Sequence, residues 1–181
     1  MENLVKKAKK GNEEAFSKLI VLEKNGLYKI AVSRMKTLED AEDVLQETII
    51  EAYVKIHKIK KNESFKSWIR KILISQINTF YERKAKKEIK IKTKLMENFE
   101  EENKNNNIVE TEQDMDFKML LDKLEDEDKT IILLFYNDGY KIKEISQMLN
   151  INENTVKTKL SRARKKIEKM KQGGDKIGST R

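Results

Sequence analysis

YKIKEISQMLNINENTVKTKLSRARKKI, residues 140–167, is the stretch that decides how this chain is read. Ile142, Ile145, Met148 and Leu149 recur at helical spacing and predict a short helix with one buried stripe. Asn150-Ile151-Asn152 then interrupts it, two turn formers around an apolar residue that can plug a helix junction. Val156, Leu160, Ala163 and Ile167 resume the apolar series and, at about 100° per residue, share one narrow face. Asn154, Thr158, Ser161, Arg162 and Lys165 fall opposite, with Lys157 and Arg164 beside them. Two helices around a tight turn, the second offering an amide, hydroxyls and cations, is what a reader of the DNA major groove needs. A helical hairpin with a merely solvated basic face has the same local pattern, so the rest of the chain must choose.

The 181 residues suffice for one domain or two small ones. With 38% hydrophobic and 39% charged residues, no large single core is available. Proline is absent and three of the six glycines lie in the last nine residues, which leaves little turn chemistry for sheets and predicts an all-α fold. The absence of cysteine excludes disulfides and thiolate metal sites and suits a reducing cytoplasm. No apolar run approaches the roughly 20 residues of a membrane span and no signal peptide opens the chain, so a soluble intracellular protein is expected. The net charge of +8 is segregated. From Lys157 onward there are ten Lys or Arg against two acids, whereas Glu97 to Asp116 holds eight acids against one Lys. Clustered cations of this kind point to a polyanionic partner.

The acidic stretch KLMENFEEENKNNNIVETEQDMD, residues 94–116, breaks the helical rhythm and reads as a flexible linker between two helical modules. Ahead of it, Asn12 is a candidate N-cap for a helix carrying Phe16, Leu19 and Ile20, with Asn25-Gly26 as its expected end. Further helices are expected over 27–35, 38–57 and 64–86, and after the linker over 117–124 and 129–137. Asp138-Gly139 punctuates entry to the helix-turn-helix, and the final residues should be disordered.

Residues 38–59, LEDAEDVLQETIIEAYVKIHKI, form the second informative helix. Val44, Leu45, Thr48, Ile49, Ala52 and Ile56 make a broad stripe for burial. Acids in the first turns suit the helix dipole and need no further cause. That does not explain Ile50 and Val54, which fall beside Asp43 and Glu47 on the face that should meet water. Apolar residues ringed by charge suggest a partner surface. Paired carboxylates could serve acid–base or metal chemistry instead, but no accompanying His or Ser and no Gly-rich loop supports a pocket here. In the next helix Phe65, Trp68, Ile69, Ile72, Leu73, Gln76 and Phe80 line one side, so Trp68 reads most simply as a core anchor. Ser67, Arg70, Lys71, Ile74, Asn78 and Tyr81 line the other, followed by Arg83, Lys84, Lys86 and Lys87. Cations interleaved with an aromatic suit a nucleic-acid backbone with unstacked bases.

Order and spacing together resemble the sigma factors of bacterial RNA polymerase. Residues 38–59, with the core DAEDVLQET, resemble the polymerase-binding helix called region 2.2, and FKSWIRKI opens a helix similar to regions 2.3 and 2.4, which melt and read the −10 element. Leu121–Ile167, with NTVKTKLSRARKKI, is similar to region 4, which reads the −35 element. A chain with only these modules resembles the extracytoplasmic function (ECF, group IV) subgroup, and the likeness runs from about Ala15 to Met170, the linker excepted. It implies region 2 over 1–93, a linker over 94–116, region 4 over 117–171 and a disordered tail over 172–181. Two positions depart from the family pattern: Ser75 and Thr79 replace an Asn and an Asp common in region 2.4, and Glu125-Asp126 stands where a proline often opens region 4.

By that resemblance the chain is a dissociable promoter-specificity subunit, not an enzyme, with no cofactor or metal. Asp43, Gln46, Glu47 and Ile50 should dock on the coiled coil of the polymerase's largest subunit. The −10 element should meet Asn62, Glu63 and Ser64, in the base-capturing loop of residues 57–67, together with Trp68, Arg70, Lys71, Asn78, Tyr81, Arg83 and Lys84. Asn154, Thr155, Lys157, Thr158, Ser161, Arg162, Lys165 and Lys166 should meet the −35 element, some reaching bases and some holding phosphates. The acidic linker would thread the RNA exit channel. Implied partners are RNA polymerase core, promoter DNA and an anti-sigma factor, often membrane-anchored in the family; the implied location is cytoplasmic. Two other classes fit parts of the pattern: a helix-turn-helix regulator acting without polymerase, which would not need the DAEDVLQET face, and an RNA-binding or scaffold protein using its basic helices without sequence preference.

Overall fold

The computed structural model describes residues 1–60, 64–94 and 124–174, with the side chains of 88–94, 126 and 170–174 excepted. Every regular element among the described residues is helical, as the composition predicts. The chain divides into two compact units, Met1–Asn106 and Asn107–Arg181.

In the first unit a short helix, α1 (Glu2–Ala8), precedes α2 (Glu13–Arg34), which Asn12 caps by accepting the Ala15 N–H at 2.7 Å. The expected break at Asn25-Gly26 does not occur: α2 runs through it for 22 residues. A helical glycine costs about 1 kcal/mol, and the packing of Leu19, Leu27 and Ile30, each at most 1% exposed, outweighs it. The hydroxyl of Thr37 accepts the Asp40 N–H at 3.1 Å and opens α3 (Leu38–Lys55), which tightens into a 3₁₀ turn at Ile56–Lys58. Helix α4 (Phe65–Lys94) follows, longer than the expected span because no glycine or proline stops it. Helices α2, α3 and α4 pack on one another, and α1 closes against α2 and the 3₁₀ turn. On α3 Val44, Thr48, Ala52 and Ile56 are buried as the stripe predicts, with Leu45 and Ile49 half-buried at its edges. Thr48 satisfies its buried hydroxyl on the Val44 carbonyl at 2.7 Å.

Among the described residues a charged contact lies inside this unit. Arg70 of α4, 1% exposed, pairs with Glu23 of α2, 5% exposed, at 2.6 Å, and also donates to the Lys66 carbonyl at 3.3 Å.

In the second unit α5 (Asp126–Ile132) relaxes into a π turn at Leu133–Asn137, and Gly139, at φ +74°, reverses the chain where an L side chain would be strained. Helix α6 (Ile142–Leu149) starts with the Glu144 carboxylate accepting the Lys141 N–H at 2.8 Å. It ends at Asn150, whose φ of 53° is the left-handed C-terminal cap, and the half-buried Ile151 donates its N–H to the Ser146 carbonyl at 3.0 Å. Helix α7 (Glu153–Gly174) buries Val156, Leu160 and Ala163 where it packs on α5 and α6, whose Ile131, Ile132 and Ile145 are buried too. It continues through residues 172–174, which the sequence assigns to the tail. An established helix adds residues at little cost, and the two glycines come only at its end. The expected linker beyond Lys94 and the expected helix at 117–124, Leu124 excepted, lie outside the described residues.

Candidate nucleic-acid and partner interfaces

The outer face of α3 is built as its periodicity predicts. Asp43, Gln46, Glu47, Ile50 and Val54 follow at three- and four-residue steps, and all are exposed. Ile50 is 65% and Val54 62% exposed, large for aliphatic side chains on a helix whose other face is dry. The surrounding polar groups are ordered. Glu51 takes Lys55 and the Gln76 amide, tying α3 to α4. Tyr53 lies edge-on to Phe16, centroids 5.2 Å apart, and donates its hydroxyl to Glu13 at 3.1 Å; that hydrogen bond and the carboxylate's charge push the phenol up. Glu47 receives Arg83 of α4 at 3.2 Å, so a residue assigned to polymerase docking and one assigned to DNA are partners.

The residues assigned to the −10 element are dispersed by the fold. Asn62 and Glu63 lie outside the described residues. Ser64 is exposed and accepts the Ser67 N–H at 3.2 Å, as a cap at the start of α4 does. Trp68 is half-buried, not a core anchor, tilted on Phe65 at 5.8 Å. Lys71 and Asn78 are exposed, Lys84 is half-buried, and the Tyr81 hydroxyl donates to the Arg34 carbonyl. Arg70 cannot be a DNA ligand in this fold, because it is buried on Glu23. Its helical position explains why: Leu73, Ile74 and Ile77, one and two turns on, are all buried, so the dry face of α4 is wider than its apolar stripe. Thr79 bonds back to the Ser75 carbonyl at 3.0 Å. Exposed His57 sits in the 3₁₀ turn, and no metal-binding group of three or more His, Cys, Asp or Glu exists among the described residues. No described helix is long and apolar enough to cross a membrane.

In the second unit Asn154, Thr155, Lys157, Thr158, Ser161, Arg162, Lys165 and Lys166 are all exposed along α7. The Asn152 side chain accepts the Asn154 N–H at 2.8 Å, fixing the start of the helix. Thr158 donates its hydroxyl to the Asn154 carbonyl at 2.8 Å and keeps its lone pairs as acceptors. The face therefore offers amide, hydroxyl and guanidinium groups with lysines on both flanks.

Two features of α7 escape sequence reading. Arg164 lies over the rings of Phe135 and Tyr136, 5.5 and 5.4 Å from their centroids, a cation–π contact to the π turn. Lys159, its side chain 20% exposed, turns away from the basic face and pairs with Glu127 at 2.9 Å and Asp128 at 3.2 Å. The Glu127 hydrogen bond, with Asp128 adding to it, holds the ammonium above the usual lysine range against the opposing effect of burial. Glu127 and Asp128 sit in the first turn of α5, where acids have a sufficient local reason in the helix dipole, so no sequence signal marks the clamp.

Comparison with known proteins places both units. Residues 19–87 match the family model "Sigma-70 region 2" and residues 114–167 match "Sigma-70, region 4". The chain is 35% identical over 142 residues to the RNA polymerase sigma factor SigV of Bacillus subtilis, covering 78% of this chain and 82% of that one. It is 27% identical over 174 residues to the ECF RNA polymerase sigma factor SigW of the same organism, covering 91% and 93%. Among solved structures, the sigma factor RpoE, in complex with the anti-sigma factor NepR from Bartonella quintana, superposes with a TM-score of 0.68 at 22% identity, covering 87% of this chain and 96% of that one.

Proposed function

This chain belongs to the ECF sigma factors of bacterial RNA polymerase, and from that premise we propose that it is a group IV factor whose first unit docks on core polymerase through α3 and whose second unit reads the −35 element through α7. It is a promoter-specificity subunit: it binds core polymerase and directs initiation, and the polymerase, not this chain, does the chemistry. The observation that carries the reading is one chain presenting two unlike faces. An exposed apolar pair, Ile50 and Val54, sits among acids on α3, and an exposed basic, hydrogen-bonding face runs along α7.

Asp43, Gln46 and Glu47 would meet basic residues of the polymerase while Ile50 is desolvated in the middle of the contact. On α7, Asn154, Thr158, Ser161 and Arg162 would address base edges, and Lys157, Lys165 and Lys166 would hold phosphates and set register. For the −10 element the described residues narrow the reading to Lys71, Asn78, Arg83 and Lys84 with Ser64 and Trp68, because Arg70 is committed to the core and the Tyr81 hydroxyl to the Arg34 carbonyl. Asn62 and Glu63 keep their proposed role in capturing a base. Arg83 would exchange Glu47 for a phosphate, an exchange that costs little since exposed pairs of this kind are worth about 0.2–1 kcal/mol. Partners of this kind place the chain in the cytoplasm, and an anti-sigma factor that masks the same faces is the proposed regulator.

The test is run-off transcription by bacterial core polymerase with and without this protein on a pool of genomic promoter fragments. New transcripts sharing paired upstream elements support the reading. Absence of transcripts alongside tight duplex binding by the chain alone would replace it with a polymerase-independent regulator.

A further inference from the structure

Helix α7 carries a dense run of cations. They are not alike in place. Lys157 and Lys165 are exposed, whereas Lys159, two residues and roughly 200° on from Lys157, has only 20% of its side chain in water and meets two carboxylates of α5. Of the two carboxylates Glu127 is 67% exposed, whereas Asp128 is 14% exposed, so the Lys159–Asp128 pair is less screened than a free surface pair. Lys159 also lies midway along the base-facing stretch, directly after Thr158 and two residues before Ser161.

Apart from the Arg164 contact with Phe135 and Tyr136 further along the helix, α7 is seated on a narrow apolar seam of Val156, Leu160 and Ala163. Apolar burial sets the distance between helices but is non-directional, so it restrains roll about the helix axis weakly. An ammonium held between two carboxylates of α5 ties α7 down at a point off that seam, and a tether off the seam resists roll. With side chains reaching about 5–6 Å from the axis, a roll of about 20° would move a side-chain tip by about 2 Å, enough to break a hydrogen bond to a base edge.

We propose that Lys159 is a positioning residue for −35 recognition: its clamp by Glu127 and Asp128 sets the roll of α7 so that Asn154, Thr158, Ser161 and Arg162 meet the bases, and it makes no phosphate contact of its own. The inference rests on the −35 reading above and adds the residue that makes that reading precise. It separates two roles that the run of lysines confuses. A lysine on a phosphate adds affinity on every sequence and contributes about 0.9 to the slope of log affinity against log salt. A positioning lysine adds discrimination and nothing to the slope.

The experiment uses holoenzyme assembled from core polymerase and the full chain, and promoter fragments randomised over the upstream element that wild-type holoenzyme enriches. Lys159→Met removes the charge and keeps the stem; Lys159→Arg restores the charge; Asp128→Asn loosens the clamp without touching α7. Discrimination between the enriched and a scrambled upstream element should fall about 5–20-fold for Lys159→Met, in line with one lost base contact, and less for Asp128→Asn. Lys159→Arg should recover most of it, and all three should keep the wild-type salt slope. A slope reduced by about 0.9 with equal loss on every sequence would make Lys159 a phosphate ligand and overturn the proposal, as would unchanged discrimination in Lys159→Met. Should Lys159→Met melt below the assay temperature, Asp128→Asn and Lys159→Arg carry the same contrast. If the wild type enriches no upstream element, the −35 reading itself falls and the positioning role falls with it.

Discussion

Replacing Ile50 by serine tests the docking face most cleanly. Fully burying an isoleucine side chain is worth roughly 1.5–3 kcal/mol, and with 65% of Ile50 exposed in the free chain about two thirds of that remains to be gained on docking. Ile50→Ser should therefore weaken core polymerase binding by about 1–2 kcal/mol, or roughly 5–30-fold in Kd. The same exposure limits its role in the fold, so stability should stay within about 0.5 kcal/mol of wild type. Asp43→Lys is the matching electrostatic change: it should slow association and steepen the loss at low salt. Glu47 is a poorer choice, because changing it also frees Arg83. Titration of fluorescently labelled chain with core polymerase, read by anisotropy at two salt concentrations, gives both numbers, and urea unfolding gives the control. Wild-type Kd in Ile50→Ser, or a loss of affinity matched by an equal loss of stability, would refute the docking argument.

Arg70→Met should cost about 3–5 kcal/mol in urea unfolding, because it strands Glu23 in the core, while Glu23→Leu with Arg70→Met should recover most of the loss; an effect within about 0.5 kcal/mol for the single change would return Arg70 to the surface. Asn150→Ala should lower stability by about 1 kcal/mol and Asn150→Gly should not, since the residue sits at φ 53°, which thermal melting can resolve. The ammonium of Lys159 is held above its ordinary value of 10.5, so the clamp's contribution is complete below that value and is lost as pH rises through the higher folded value. The stability gap between wild type and Lys159→Met should then be flat through neutral pH and close only in the alkaline range, as unfolding at a series of pH values would show.

What the sequence disclosed and what it hid divide along one physical line. The helix-turn-helix was legible because its signals are local: a 3.6-residue apolar period in α6 and α7, and turn residues between, one of which, Asn150, takes the left-handed conformation that few other residues tolerate. The apolar part of the α3 face was legible for the opposite reason, since Ile50 and Val54 break the local rule and both stay largely exposed. Hidden were the contacts in which a charge is satisfied by another element. From sequence Tyr81 and Arg83 are assigned to DNA and Lys159 has no role, and each has a partner 31 to 47 residues away. Periodicity locates faces, but it cannot say which polar residue on an edge is turned inward.

The buried Glu23–Arg70 pair shows how far one such contact misleads. An apolar series along α2 through Phe16, Leu19, Leu27 and Ile30 lacks its member at 23, where a glutamate stands. Asn25-Gly26, two residues on, reads as the end of the helix. On α4 the matching arginine falls between Ile69 and Ile74, so its charge reads as the start of a solvated face. The two errors share one cause: a carboxylate and a guanidinium that each look exposed alone form one satisfied unit in the core when α2 and α4 pack. Such a pair adds little net stability over an apolar replacement, but it admits few alternative alignments, because any register that separates the partners strands a charge. It follows that α4 is held in rotation about its axis against α2, and that Lys71 and Asn78 are presented outward because Arg70 is drawn in. The double replacement Glu23→Leu with Arg70→Met then has a second readout. If the pair fixes rotation, this stable variant should bind a single-stranded −10 segment in holoenzyme more weakly than wild type, and full binding would reduce the pair to filling space.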